Sequence, residues 1–363
     1  MDDETRPPPP RTTLPMLSGG SSGGSLAGRL AALVLAGFLL VQLKAILVPL
    51  FLAILLAVVV TPMVGWLVRH RVGLPLAILL AELAATLPVL GIILVFVATA
   101  GPLAKELPKY QTQITQQASG AVDSLLARVA PEQERAEIRR QVSERLVPEA
   151  LAEGVALVQE SVQTLGTMLG YLFLTLLLAG FVLVEGQGLR ERFGRAFGEA
   201  HPVLGALEAI GSDVRAYVVA KTIVSAFTAI CVWAFLEACQ VDFALFWGLI
   251  AFPLNFIPTV GAMIASLPPM LLVVVDPEMS ALGATGVAVG LVGINGIIGS
   301  VIDPRYVGQT VKLSPLVVVL SMLLWGVLWG PVGMILAVPI MVSVKLVFAR
   351  IPALAPVSTL MTG

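Results

Sequence analysis

The chain has 363 residues, 57% hydrophobic and only 12% charged, with a net charge of −1. A soluble domain carries about a quarter charged residues. This composition, with a mean hydropathy of +0.95, therefore describes a polytopic membrane protein rather than a soluble one. The near-neutral charge gives nucleic acid no basic face to bind. The lack of any Cys/His ligand cluster leaves no metal centre or cofactor site to expect.

Residues 1–28 hold four consecutive prolines, Pro7 to Pro10, and a Gly/Ser run at 18–25. They read as a disordered polar tail, too polar for a signal-peptide core. Residues 29–102 follow as three spans, at 29–47, 48–67 and 74–101, the last closed by Gly101-Pro102. At 103–165 the character changes. This stretch is rich in Glu, Gln and Arg, is broken at Pro131 and Pro148, and pairs Arg140 with Glu144 and Arg145 with Glu149. Pairs at i,i+4 suit a solvated helix face, so an extramembrane insert of short helices is expected. Its apolar positions, such as Val122, Leu125, Leu126, Val129, Leu146 and Val147, are too few for an independent core in about 60 residues. Packing against other subunits is the expectation.

A fourth span at 166–184 leads into an amphipathic stretch, 186–216. There Arg190, Arg192, Arg195 and Arg215 oppose Leu189, Phe193, Phe197, Leu204 and Leu207. Such a stretch is expected to lie along the membrane surface. A fifth span at 217–238 and a sixth at 280–302 each precede a longer apolar segment, 243–275 and 314–349. The chain then ends in a short tail, 351–363. The fold class is all-α: about six full spans, two broken or re-entrant helical hairpins and an extramembrane helical insert.

The two long segments resemble each other. Leu245-Phe246-Trp247-Gly248-Leu249 runs through Pro258-Thr259-Val260-Gly261 to Pro268, and Leu323-Leu324-Trp325-Gly326-Val327 runs through Pro331-Val332-Gly333 to Pro339. A broken helix frees backbone groups that lipid cannot satisfy, so each break needs protein or a water-filled cavity around it. Paired interruptions of this kind point to a transporter's binding site. Placing the short basic loops inside puts both termini in the cytoplasm and the insert outside. The units 217–279 and 280–350 are then inverted-topology repeats, with hairpins entered from opposite sides.

Asn255 is the leading candidate for solute binding, because its amide offers both donors and an acceptor; capping the broken helix is the equal alternative. Pro258, Thr259, Gly261, Gly330, Pro331 and Gly333 surround the two breaks. Pro268, Pro304, Gly308 and Pro339 are expected hinges or helix breaks. Asp303, beside Arg305, and Glu82, inside the third span, are candidates for ion coupling. Lys221 and Asp213 read as interface anchors, and the tryptophans as packing or interface residues. Cys231 and Cys239 lie about 12 Å apart along one helix, too far for a disulfide.

Three motifs resemble one known family. They are Leu254-Asn255-Phe256-Ile257-Pro258-Thr259-Val260-Gly261 with Pro268-Pro269; Asp303-Pro304-Arg305-Tyr306-Val307-Gly308 with Leu313-Ser314-Pro315-Leu316; and Trp325-Gly326 through Gly330-Pro331-Val332-Gly333-Met334 to Val338-Pro339. Together they resemble the signature of the autoinducer-2 exporter family, or PerM-like transporters, over roughly residues 30–350. The resemblance implies a bacterial inner-membrane, homo-oligomeric transporter, a pentamer being the expected assembly. Some members export the quorum-sensing furanone autoinducer-2, and others resemble sodium/proton antiporters. Where members carry Asn just before the Pro at 304, this chain has Gly299 and Ser300, with Asn295 the nearest Asn, which adds Asn295 and Ser300 to the candidates. The leading expectation is export of a small polar solute by alternating access. A sodium/proton antiporter on the same fold and a non-transporting scaffold that binds partners through the insert are the alternatives. An enzyme is not expected: no span carries a His to pair with a serine, no adjacent spans carry paired aspartates, and no nucleotide-binding loop is present.

Overall fold

The computed structural model describes residues 26–106, 111–127, 131–197, 202–258, 260–276, 279–307, 313–351 and 354–362. The polar tail to residue 25, and Val129, His201, Thr259, Gly308 and Lys312, lie outside the described residues. All regular elements among the described residues are helical. The chain divides into a first unit ending at Leu43 and a second from Lys44 onward. The first unit is the helix α1, Leu26–Gln42. Its 17 residues span about 25 Å at 1.5 Å per residue, less than the roughly 30 Å of a bilayer core. The expected first span, 29–47, is thus shorter: the chain turns at Leu43, and Lys44 already starts the next helix.

In the second unit, α2 is Lys44–Arg69, α3 is Leu74–Glu106, α4 is Gln111–Leu126 and α5 is Glu132–Gln141. A widened π turn, Val142–Leu146, leads into α6, Val147–Phe197, and α7 is Pro202–Ala238. Then come α8, Ala244–Leu254, α9, Val260–Val275, and α10, Ala281–Ile297. A second π turn, Ile298–Ile302, joins α10 to the short α11, Asp303–Tyr306; α12 is Pro315–Arg350 and α13 is Ala355–Leu360. Among the described residues, six stretches are long and apolar enough to cross a membrane: α2, Leu74–Leu103, Leu169–Gly186, Glu208–Ala238, Ala281–Tyr306 and α12, the last of which is kinked at Gly330.

Three boundaries differ from the sequence reading. The insert begins inside α3 and ends inside α6, whose 51 residues extend about 75 Å. One helix therefore carries both the end of the insert and an apolar stretch long enough to cross a membrane. The stretch 186–216 is not a separate surface element; it is divided between the end of α6 and the start of α7, since a run of arginines on one helix face does not end a helix. In the insert, Arg139 pairs with Asp123 at 2.7 Å, tying α5 to α4. Arg140 hydrogen-bonds Glu144, and that carboxylate raises the guanidinium pKa above its ordinary value.

Side-chain pattern dictates the packing. Ala57, Val60 and Val64 of α2 meet Ala77, Ile78 and Ala81 of α3 and Leu183 of α6. Small residues let helix backbones approach closely where lipid supplies no hydrophobic drive. One contact repairs a local defect. Pro62 has no N–H to give the carbonyl of Val58 one turn earlier, and Arg215 of α7 donates its Nε to that carbonyl at 2.9 Å. Arg215→Met is expected to lower stability by about 1–3 kcal/mol, the cost of orphaning a buried acceptor. In a Pro62→Ala background, where the substituted residue supplies its own N–H, the loss should be smaller. Thermal midpoints of the four detergent-solubilised proteins measure this.

Candidate functional site: two hairpins and the cavity beside the first

The first broken segment is a tight hairpin. Helix α8 has 11 residues, about 16 Å, too short to cross a bilayer. After Leu254 the backbone tightens through Phe256 N–H to Pro253 O and Ile257 N–H to Leu254 O, and α9 returns alongside. Gly261 makes this possible: a Cβ there would lie 1.7 Å from the Leu254 carbonyl oxygen.

The second break uses the same device. Within α12, Gly330 has φ 68° and ψ −151°, a conformation that only glycine adopts readily. The limbs 315–329 and 331–350 fold back on each other, and a Cβ on Gly333 would lie 2.0 Å from the Trp325 carbonyl oxygen. Both limb ends reach the region of α13: Ser314 N–H donates to Met361 O, and Ser358 Oγ donates to Lys345 O. That end carries the start of α7, because Val214 and Tyr217 share an apolar cluster with Leu313 and Met361. Helix α8 begins at the other end of α7. The two hairpins thus approach from opposite ends, and their inner parts meet where Ile257 packs on Met322 and Ala337.

A cavity of about 580 Å³ lies against the first hairpin and α10. It brings together five of the sequence candidates: Asn255, Pro258, Asn295, Ser300 and Asp303. Asn255 Nδ2 donates to Ser225 Oγ of α7 at 3.1 Å. Its side chain therefore ties the hairpin tip to α7 and does not cap the broken helix. Asn295 Nδ2 donates to Ser266 Oγ and to Leu291 O, both at 2.9 Å. Ser266 in turn gives its proton to Ala262 O at 2.8 Å. Much of the donor capacity of the two amides is thus spent on protein.

Asp303 completes the wall. Its Oδ2 takes Lys221 Nζ at 2.7 Å, with the Lys221 side chain 3% and the Asp303 side chain 24% exposed. Its Oδ1 is buried and accepts no hydrogen bond. The π turn before it is local chemistry. Pro304 has no N–H for the Ser300 carbonyl, and Asp303 N–H reaches back five residues to Ile298 O. The turn widens at Gly299 and Ser300, both on the cavity.

Other candidates are elsewhere. Gly333 is buried inside the second hairpin, while Gly330 and Pro331 form its turn; none lines this cavity. Gly261 closes the first hairpin from behind. Pro268 and Pro339 do not break their helices: α9 and α12 run through both. One missing N–H leaves the flanking hydrogen bonds intact, and neighbouring helices hold the chain. Glu82 lines a different cavity of about 500 Å³ between α3 and α6, opposite Gly180. Its Oε1 is buried without a partner, but it shares no wall with Asp303. Lys221 is not an interface anchor. It is 2% exposed and ion-paired. The sequence did contain that signal: Lys221 sits a turn inside the apolar stretch 217–238, and a buried ionisable residue in a span is functional by default. Ser225 and Ser266, the partners of the two amides, carry no sequence signal.

Two broken-helix hairpins, the first of them beside a cavity that carries two amides, a hydroxyl and a carboxylate, on a frame of long apolar helices fit a multi-pass membrane transport protein. The AI-2E transporter family matches residues 30–353, and the chain belongs to it. It is 32% identical to the AI-2 transport protein TqsA of Escherichia coli (strain K12) over 288 residues, 78% of this chain and 80% of the relative. It is 30% identical to "Putative transport protein YhhT" of the same organism over 287 residues, 77% of each chain.

Proposed function

We propose that this protein is a secondary transporter that exports a small polar solute resembling autoinducer-2 across the bacterial inner membrane. The observation that carries the reading is the cavity where Asn255, Asn295, Ser300 and Asp303 converge beside the first hairpin. Its lining side chains carry two amides, a hydroxyl and a carboxylate, groups that suit a solute rich in hydroxyl donors. The related TqsA is named for AI-2 transport, and the outward direction rests on the family resemblance. Both termini lie in the cytoplasm, from the loop charges. Units 217–279 and 280–350 act as inverted repeats whose relative movement exposes the cavity to either side in turn.

Proteoliposomes loaded with autoinducer-2 test this. Asn255→Leu is expected to slow efflux by on the order of ten- to a hundredfold, the ratio that losing a buried hydrogen bond of about 1–3 kcal/mol gives. Ser225→Ala is the control. It removes the tether to the hairpin but leaves the cavity wall, so efflux should stay closer to wild type. Wild-type efflux from well-folded Asn255→Leu would place the solute elsewhere.

A sodium/proton antiporter is the second reading, favoured by the unpartnered Oδ1 of Asp303. The same vesicles under sodium and pH gradients, without autoinducer-2, separate the two.

The assembly proposed is a homo-oligomer held partly by the insert, where Leu125 and Leu146 are 76% and 56% exposed. A double Leu125→Glu/Leu146→Glu variant is expected to run as smaller species in detergent by light scattering. An unchanged mass removes the insert from the interface.

A further inference from the structure

Building on the hairpin cavity as the solute site, we propose that a second cavity, of about 800 Å³, is the other half of the same pathway. The Lys221–Asp303 ion pair is the gate between the halves. Among the described residues, only Pro258 and Asp303 line both cavities. The first extends along α9 to Met270 and along α10 to Val292. The second extends to Leu313 and Pro315, at the start of α12. They therefore lead toward opposite ends of α7, each along one hairpin. That is the placement an alternating pathway needs, interrupted where the two walls share one proline ring and one carboxylate.

Asp303 is part of both walls. Oδ2 holds Lys221, which lines only the second cavity, and Oδ1 has no partner. Lys221 is almost fully buried and Asp303 only partly so, which leaves the pair weakly screened while intact. Oδ1 is covered in this state, so a hydroxyl or ammonium donor in the first cavity reaches the carboxylate as the pair loosens and then competes with Lys221 for the same charge. Solute binding thus loosens the contact that closes the pathway. The backbone is prepared for this movement, because the π turn Ile298–Ile302 directly precedes Asp303. Such turns lack the regular i→i−4 ladder and commonly mark functional sites. Tyr217, 3% exposed, lies beside Lys221 on the second cavity, so a solute that passes the gate meets a hydroxyl and an ammonium.

Cysteine accessibility tests the gate without any solute. Ser300→Cys reports on the first cavity and Val318→Cys on the second, each in full-length protein carrying Cys231→Ser and Cys239→Ser. Both are treated with a membrane-impermeant methanethiosulfonate, in right-side-out and in inverted vesicles. With the pair intact, the two positions should react from opposite faces. With Lys221→Met/Asp303→Asn, that sidedness should be lost and both should react from either face. Asp303→Asn alone, which keeps the side-chain shape, replaces the double variant if the latter does not fold.

The proposal is overturned by any of three results. One is reaction of both positions from the same face with the pair intact. Another is no reaction of Val318→Cys from either face. The third is sidedness that survives loss of the pair. Because no solute is present, these outcomes are independent of Asn255→Leu efflux. Loss of sidedness with normal Asn255→Leu efflux keeps the gate and removes the solute site. The reverse pattern removes the gate alone.

Discussion

Gly261→Ala and Gly333→Ala are each expected to prevent the protein from reaching its folded state. The added methyl would sit 1.7 Å from the Leu254 carbonyl oxygen in the first case and 2.0 Å from the Trp325 carbonyl oxygen in the second. No rotamer relieves this, because the obstacle is backbone on the facing limb of the same hairpin. Each hairpin would have to open. Gly261 N–H would lose Ile257 O, and Ile257 would withdraw from Met322 and Ala337. The cost should exceed about 4–5 kcal/mol, at the extreme of single substitutions. Fluorescence-detected size exclusion of detergent extracts should show aggregate in place of the wild-type peak. Gly286→Ala in α10 is the contrast, since nothing lies within 4 Å of its added Cβ. It should keep or slightly raise stability, alanine being favoured over glycine in a helix by up to about 1 kcal/mol. A normal peak for Gly261→Ala would mean that the hairpin is wider than its geometry shows.

The second large effect is expected at Lys221. Lys221→Met keeps the length of the side chain but leaves Asp303 with neither oxygen paired. Breaking a buried pair from one side costs on the order of 3–5 kcal/mol, because the remaining charge stays desolvated. Lys221→Met/Asp303→Asn removes both charges and should recover most of that loss. Thermal midpoints of the purified proteins, single against double, give the answer. If the double variant is no more stable than Lys221→Met, the ion pair does not hold α7 to α11.

Much of this architecture was legible along the chain because its signals are local. Apolar runs mark spans, charge density marks the insert, and Trp-Gly followed by a Pro with a Gly two or three residues beyond it marks both hairpins. The motif around Asn255 and the Asp303-Pro304 pair also carry the family resemblance, and the structure sets them on one cavity. Helix continuity was harder to read. Pro268 and Pro339 look like stops, yet α9 and α12 continue through them. The widest error of that kind was at 165/166 and 186, where α6 runs on unbroken. A proline's missing hydrogen bond and a polar patch are weak local costs, and packing along the rest of the helix outweighs them.

By itself, then, the sequence determined the membrane class, the helical content and the two places where helices must break. Those follow from hydropathy and backbone chemistry within a few residues of each site. Only the tertiary structure decided that Asn255 is tied to Ser225, that Asn295 is tied to Ser266, and that Lys221 faces Asp303 across 82 positions of chain. It also separated Glu82 from that group and buried Gly333 behind a tryptophan carbonyl instead of on a cavity wall. The physical reason is that a buried polar group must find whatever partner the packing brings within about 3 Å. Which partner that is depends on how α7, α9 and α10 cross, and no spacing along the sequence encodes it.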